Sequence, residues 1–142
     1  MKDNIVCSGA LFYSTSTKRF LFLQRTDKKT QGMWGLVGGK SKFTESAFEG
    51  LKREIEEETG SLPKFKKVIP LEMFTSNDQK FFFHTYLIAI DAEFIPKLNE
   101  EHSGYCWCAF ECWPKNLHMG LKNTLNNKSI KGKLQTILDL IV

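Results

Sequence analysis

The stretch Gly39–Gly60 reads GKSKFTESAFEGLKREIEEETG, and its pattern predicts one helix running off a glycine turn. Gly38-Gly39 interrupts regular structure, Thr44 offers an N-cap hydroxyl, and Glu45 supplies an acid to the first turn, where the helix dipole favours it. No proline interrupts the run to Thr59, and Gly60 is the expected stop. At about 100° per residue, Ala47, Phe48, Leu51 and Ile55 form one apolar stripe. That stripe needs a core to face.

The acids divide into two groups. Glu45, Glu49 and Glu56 lie opposite the stripe with Lys52, as solvated charges do. Glu54, Glu57 and Glu58, spaced i, i+3, i+4, share a wedge of roughly 100° that borders the stripe. Like charges at the edge of a buried surface oppose folding unless a cation or a basic partner offsets them. Arg53 stands one turn from Glu49 and from Glu57, which predicts a ladder to those two and leaves Glu54 and Glu58 unsatisfied. A cluster of oxygen ligands suits a hard cation, Mg²⁺ first and Mn²⁺ as a substitute. Mg²⁺ on a few carboxylates takes further ligands from water and substrate phosphates, so the stretch reads as phosphoryl chemistry.

These residues resemble the Nudix box, G-x5-E-x7-R-E-U-x-E-E-x-G-U with U aliphatic. Gly39, Glu45, Arg53, Glu54, Ile55, Glu57, Glu58 and Gly60 stand at the matching places. Ser61 occupies the last aliphatic position, with Leu62 one place late. The preceding QGMWGLVGGK is similar to the segment that leads into the box, with Val37 where the family usually has proline.

The resemblance implies a metal held by the Gly38 carbonyl, Glu54, Glu57 and Glu58. Arg53 and Glu45 would orient those acids, and Gly39 and Gly60 would shape the turn and the helix end. Arg25 and Lys40 would meet phosphate oxygens. The general base would be Glu54 or Glu101, the latter on a loop six residues before Trp107, with Glu100 as its rival.

Around this centre the remaining elements follow from periodicity. Ile5–Tyr13 and Arg19–Gln24 read as strands apolar on both faces, joined as a hairpin. Val68–Thr75, Lys80–Ile90 and Tyr105–Phe110 read as further strands, and Asp91–Ser103 as a polar loop. Leu117–Leu125 is a short helix, and Ser129–Ile141 an amphipathic one that covers a second sheet face. Strands buried on both sides with helices at both ends predict an α/β fold, a helix-sheet-helix sandwich around a mixed β-sheet. By resemblance this is the Nudix α/β/α sandwich, a single domain over residues 1–142.

Composition narrows the classes. With 142 residues, 42% hydrophobic and 25% charged, the chain has material for one sizeable core. It carries no apolar run of transmembrane length, and its polar start lacks the apolar segment of a signal peptide, so a cytoplasmic location and no membrane partner are expected. Cys106, Cys108 and Cys112 lie near His102 and His118 without paired C-x2-C knuckles, which argues for packing cysteines over zinc. The +4 charge is diffuse and lacks basic-aromatic alternation. Nucleic acid is therefore not expected as a partner, except as a capped or 5′-phosphorylated end.

What the resemblance implies about activity is a Mg²⁺-dependent pyrophosphohydrolase. Its substrate would be a nucleoside diphosphate linked to another group: a nucleoside triphosphate, a nucleotide sugar or a dinucleoside polyphosphate. The alternative is a catalytically silent Nudix-fold module that binds a nucleotide, and relatives of the family suggest a homodimer. Phe74, Phe82, Tyr105 and Trp34 are candidates to stack on a base, with Phe74 and Tyr105 the preferred pair. Asn116, Asn123 and His118 are candidates to read its edge. His84 reads as structural.

Overall fold

The computed structural model describes residues 4–141. The polar start of the chain at 1–3 and the final residue of the expected 1–142 domain lie outside it. Strand β1 (Ile5–Ser14) is the spine. Along one edge it pairs in parallel with β6 (Phe81–Ile90) over its whole length, and β6 pairs antiparallel with β5 (Lys67–Thr75). Along the other edge β1 is shared. Cys7–Ala10 pair antiparallel with β4 (Val37–Lys40), while only Tyr13 and Ser14 pair with β2 (Arg19–Arg25). The expected hairpin therefore diverges after two pairs, because β4 has taken the rest of the edge. β2 goes on to pair with β3 (Trp34–Gly35) and β7 (His102–Ala109).

The result is a seven-stranded mixed sheet, covered by α1 (Ala47–Thr59) on one face and by α2 (Met119–Asn126) with α3 (Lys128–Leu140) on the other. Strand alternation sorts the core into two layers. Ala10, Phe12, Leu21, Leu23 and Ile88 meet Leu51 and Ile55 of α1. Leu11, Tyr13, Phe20, Phe22 and Leu87 meet Leu121, Leu125 and Leu134. Both faces of β1 and β2 are thus buried, as their apolar runs require, and each fully buried Leu, Ile or Phe contributes about 1.5–3 kcal/mol.

Three boundaries differ from expectation by two residues or more. α1 starts at Ala47, two residues late: its N-cap is Ser46, not Thr44, and Ser46 forms a capping box with Glu49. A reciprocal box satisfies two backbone donors where a lone threonine satisfies one. β7 begins at His102, three residues early, because its pairing with β2 runs back to Arg25. α2 begins at Met119 rather than Leu117 because Leu117 is bridged to Trp34. Gly60, with φ 77°, closes α1 in the left-handed conformation expected of it. Among the described residues no helix is long and apolar enough to cross a membrane, and the four cysteines are free thiols.

Candidate active site

The capping box determines what Arg53 can do. Glu49 is committed to the Ser46 amide (2.9 Å), so the predicted Glu49–Arg53 rung does not form. Glu45, expected on the solvated face, sits in the turn before the helix and folds back. Its carboxylate accepts from Arg53 Nε at 2.7 Å and Nη2 at 3.0 Å, and from the Lys42 amide at 2.7 Å. These bonds hold the Glu45 carboxyl well down, at about 2. Arg53 also donates to Glu54 (3.1 Å), to Glu57 (3.3 Å) and to the Lys40 carbonyl (3.1 Å). The guanidinium therefore does reach Glu54, contrary to the sequence expectation. A planar fork with five donors can hold three carboxylates and a strand at once.

The β4 strand is fitted to the helix by its glycines. A Cβ on Gly39 would stand 2.6 Å from Cδ of Glu54, and one on Gly38 would collide with the Ser8 carbonyl. With that room, the Gly38 amide turns to the helix and donates to Glu58 Oε1 at 3.0 Å. Glu58 is 3% exposed. Burial, reinforced by the charges of Glu54 and Glu101 and opposed by the Gly38 amide and Arg25, pushes its carboxyl up to about 8. Burial also raises Glu54, with Glu57 and Glu101 adding to it and Arg53 opposing.

Glu101 joins this group from a loop remote in sequence. Asn99 donates to the Glu57 carbonyl at 3.0 Å and accepts from the Glu101 amide at 2.9 Å, and the Thr26 amide bonds the Glu101 carbonyl at 3.1 Å. These bonds pin the loop 99–101 between the end of α1 and the end of β2. Asn99 carried no signal in the sequence beyond loop polarity.

Among the described residues no three His, Cys, Asp or Glu side chains are gathered as a ready cage for a cation. The acid oxygens are instead turned to Arg53 and Gly38. The donor set nevertheless fits a hard cation. It is all carboxylate and backbone oxygen, and burial, with the neighbouring acids adding to it, raises Glu58 and Glu54 toward protonation, which a divalent charge would reverse.

These groups open onto a cavity of about 960 Å³. Gly38, Gly39, Lys40, Glu54, Glu57 and Glu58 form one wall, with Arg25, Glu100 and Glu101 beside them. Arg25 is oriented by Asp27 (3.0 Å) and Thr30 (2.7 Å), both bonded to its Nε. Phe74, Phe81 and Phe83 supply an aromatic wall with Thr85 beside them, and α2 with its N-cap contributes a third through His118, Asn123 and Thr124. Arg53, Glu45 and Gly60 lie behind the lining.

The chain belongs to the Nudix family. The family model for the NUDIX domain matches residues 5–127, most of the described chain. A curated relative, Nudix hydrolase 6 of Arabidopsis thaliana, is 41% identical over 63 residues, a match that spans 43% of this chain and 22% of that protein. Among solved structures, a MutT NUDIX hydrolase from Burkholderia pseudomallei superposes with TM-score 0.67 and 24% identity over 88% of this chain and 98% of that one. A Caenorhabditis elegans Ap4A hydrolase does so with TM-score 0.71 and 18% identity over 95% and 99%. At those identities the two structures speak for the fold, which is the expected α/β sandwich.

Within this Nudix chain several expected contacts fall elsewhere. Tyr105 does not line the cavity, because it shares the alternation of Trp107 on β7 while Cys106 and Cys108 take the α2–α3 face. Phe82 is also absent from the lining. The strand presents its odd-numbered residues there, so Phe81 and Phe83 take the place expected of Phe82. Both were legible as aromatic alternation once the face was known. Trp34 packs against the core layer that α2 and α3 cover, and Asn116 bonds the Gly32 carbonyl at 3.3 Å.

Proposed function

We propose that this Nudix chain is a Mg²⁺-dependent pyrophosphohydrolase that cleaves a phosphoanhydride of a nucleoside diphosphate linked to another group. The observation that carries the reading is the wall made by Glu54, Glu57, Glu58 and the Gly38 backbone, facing a cavity that also holds Arg25, Lys40 and an aromatic surface. An anionic ligand needs a reason to approach such an acidic wall. A divalent cation, which Glu54, Glu57, Glu58 and the Gly38 carbonyl would hold, would supply that reason by neutralising charge.

Mg²⁺ supplies such a reaction with charge neutralisation at the phosphate oxygens. The chain's own residues do the rest. Arg25 and Lys40 hold and orient the diphosphate, and the aromatic rings of Phe74, Phe81 and Phe83 carry the nucleoside. Glu54 or Glu101 accepts the proton of the attacking water as its oxygen bonds to phosphorus and the bridging P–O bond breaks. Arg53 acts through the acids, fixing Glu54 and Glu57 against the Glu45 anchor.

Chromatography of products from a panel of nucleoside triphosphates, nucleotide sugars and dinucleoside polyphosphates tests this. Release of a nucleotide product with Mg²⁺, abolished by EDTA, is expected. Tight nucleotide binding with no product from any member of the panel would leave a silent binding module instead.

A further inference from the structure

Chain remote in sequence docks on the end of α1. The last carbonyls of a helix have no partner within it, and the segment 97–99 supplies two. The Lys97 amide donates to the Thr59 carbonyl at 2.7 Å, and Asn99 Nδ2 to the Glu57 carbonyl at 3.0 Å. The other end of the Asn99 amide is also used. Its Oδ1 accepts from the Glu101 amide at 2.9 Å, and the His102 amide donates to the Asn99 carbonyl at 3.3 Å. Asn99 through His102 is therefore a tight turn with Glu100 and Glu101 in the middle.

Thr26 holds the turn from the opposite side. Its hydroxyl donates to the Glu100 carbonyl at 2.7 Å and its amide to the Glu101 carbonyl at 3.1 Å. Thr26 follows Arg25, and both line the cavity. The turn is thus anchored once to the helix that bears the acids and once beside the arginine that faces them.

What the turn carries is Glu101. That residue lines the cavity with Glu54, Glu57 and Glu58, and its charge reaches both Glu54 and Glu58. Arg53 engages Glu54 and Glu57, and the Gly38 amide engages Glu58. Among the described residues no hydrogen bond or ion pair engages the Glu101 carboxylate, and the residue is exposed to water. A side chain without a partner of its own is placed by its backbone. Asn99 and Thr26 fix that backbone.

We propose that Asn99 is a positioning residue for the reaction: by bonding α1 and Glu101 through one amide group, it sets where the Glu101 carboxylate meets the attacking water. The inference rests on the hydrolase reading and, within it, on Glu101 as the proton acceptor. The water oxygen bonds to phosphorus, the bridging P–O bond breaks with its electron pair leaving on the departing phosphate, and the water proton passes to Glu101.

The test is a double-mutant cycle in the full chain, with kcat and KM measured with Mg²⁺ on the fastest-cut member of the nucleotide panel. Asn99→Ala should lower kcat about 10–100-fold with KM within about twofold, and Glu101→Gln should lower kcat about 10²-fold or more. Groups that act as a unit are not additive, so the double variant should stay within about threefold of Glu101→Gln alone. Hydrogen exchange at the Glu101 amide should quicken at least tenfold in Asn99→Ala and stay native in Glu101→Gln. Losses that multiply in the double variant make Asn99 a helix cap only and overturn the proposal. Native kcat or native exchange in Asn99→Ala overturns it as well. If Asn99→Ala does not fold, Thr26→Val, which loosens the turn at its other anchor, replaces it in the same cycle. Its kcat loss must vanish in the Glu101→Gln background, or the proposal falls. Full turnover by Glu101→Gln overturns the positioning role and leaves the hydrolase reading standing with Glu54 as the acceptor. If the native chain cuts no member of the panel, the hydrolase reading falls and the positioning role with it.

Discussion

The acid wall and the α2 wall of one cavity are built on opposite plans. Three carboxylates, their arginine and the glycine stop of the first wall come from a single helix, so helical spacing alone brings them together. The α2 side, taken with the aromatic wall and Arg25, is drawn from parts remote in sequence: Arg25 from β2, His102 from β7, His118 from the start of α2, and Phe81 and Phe83 from β6. The first is local geometry and the second is tertiary assembly. Chemistry confined to the first should survive changes in the second, which ought to alter what is bound more than whether it is cut.

The largest effect that would break this contrast is at the buried acid. Glu58→Gln should lower turnover by about 10²–10³-fold while circular dichroism and melting temperature stay near native. Unchanged product release would remove the acid wall from the chemistry. Next comes Gly39→Ala, whose new methyl would meet the end of the Glu54 side chain. Because that neighbour is flexible, thermal stability should fall by a few degrees at most, whereas kcat should drop about 10–100-fold as Glu54 leaves Arg53. Equal damage to stability and turnover would mean the glycine serves only the backbone.

On the other wall, Phe81→Ala should raise KM about 2- to 10-fold with little change in kcat. A loss confined to kcat would merge the two walls into one functional unit. The smallest effect concerns acid stability. The Glu45 carboxyl lies below its ordinary 4.5, at about 2, because of Arg53 and the Lys42 amide. A depressed pKa contributes stability that is complete above 4.5 and is lost as pH falls toward 2. Melting temperature measured across that interval should therefore decline more steeply for the native chain than for Glu45→Gln.

Sequence made the acid wall legible for the same reason that it is local. A 3.6-residue period fixed the relation of Glu54, Glu57 and Glu58 to Leu51 and Ile55, and Glu58 is buried beside that stripe. The error lay at the helix start, where Thr44 and Ser46 are both good caps. The capping box with Glu49 favours Ser46, and that choice redirects Arg53 from Glu49 to Glu45 and Glu54. The strands were legible from their apolar runs. Which of their two faces meets the cavity was not, since alternation gives two equivalent sets until a partner is known. Phe82 and Tyr105 were misplaced for that reason. Asn99 owes its role to its contact with the distant Glu57 carbonyl, and periodicity carries no trace of that.

One consequence follows from the fork in β1. Its first half is zipped to β4 and its end to β2 on the same edge, and the cavity lining includes Cys7, Ser8 and Gly9 from the half paired with β4. The hollow is therefore lined in part by hydrogen-bonded sheet, with loop residues such as Asp27 and Glu101 completing it. Where sheet lines it, its span is set by hydrogen-bonded rungs, which lengthening a peripheral loop does not change. A change of ligand must come by exchanging the side chains that upholster a frame of constant size.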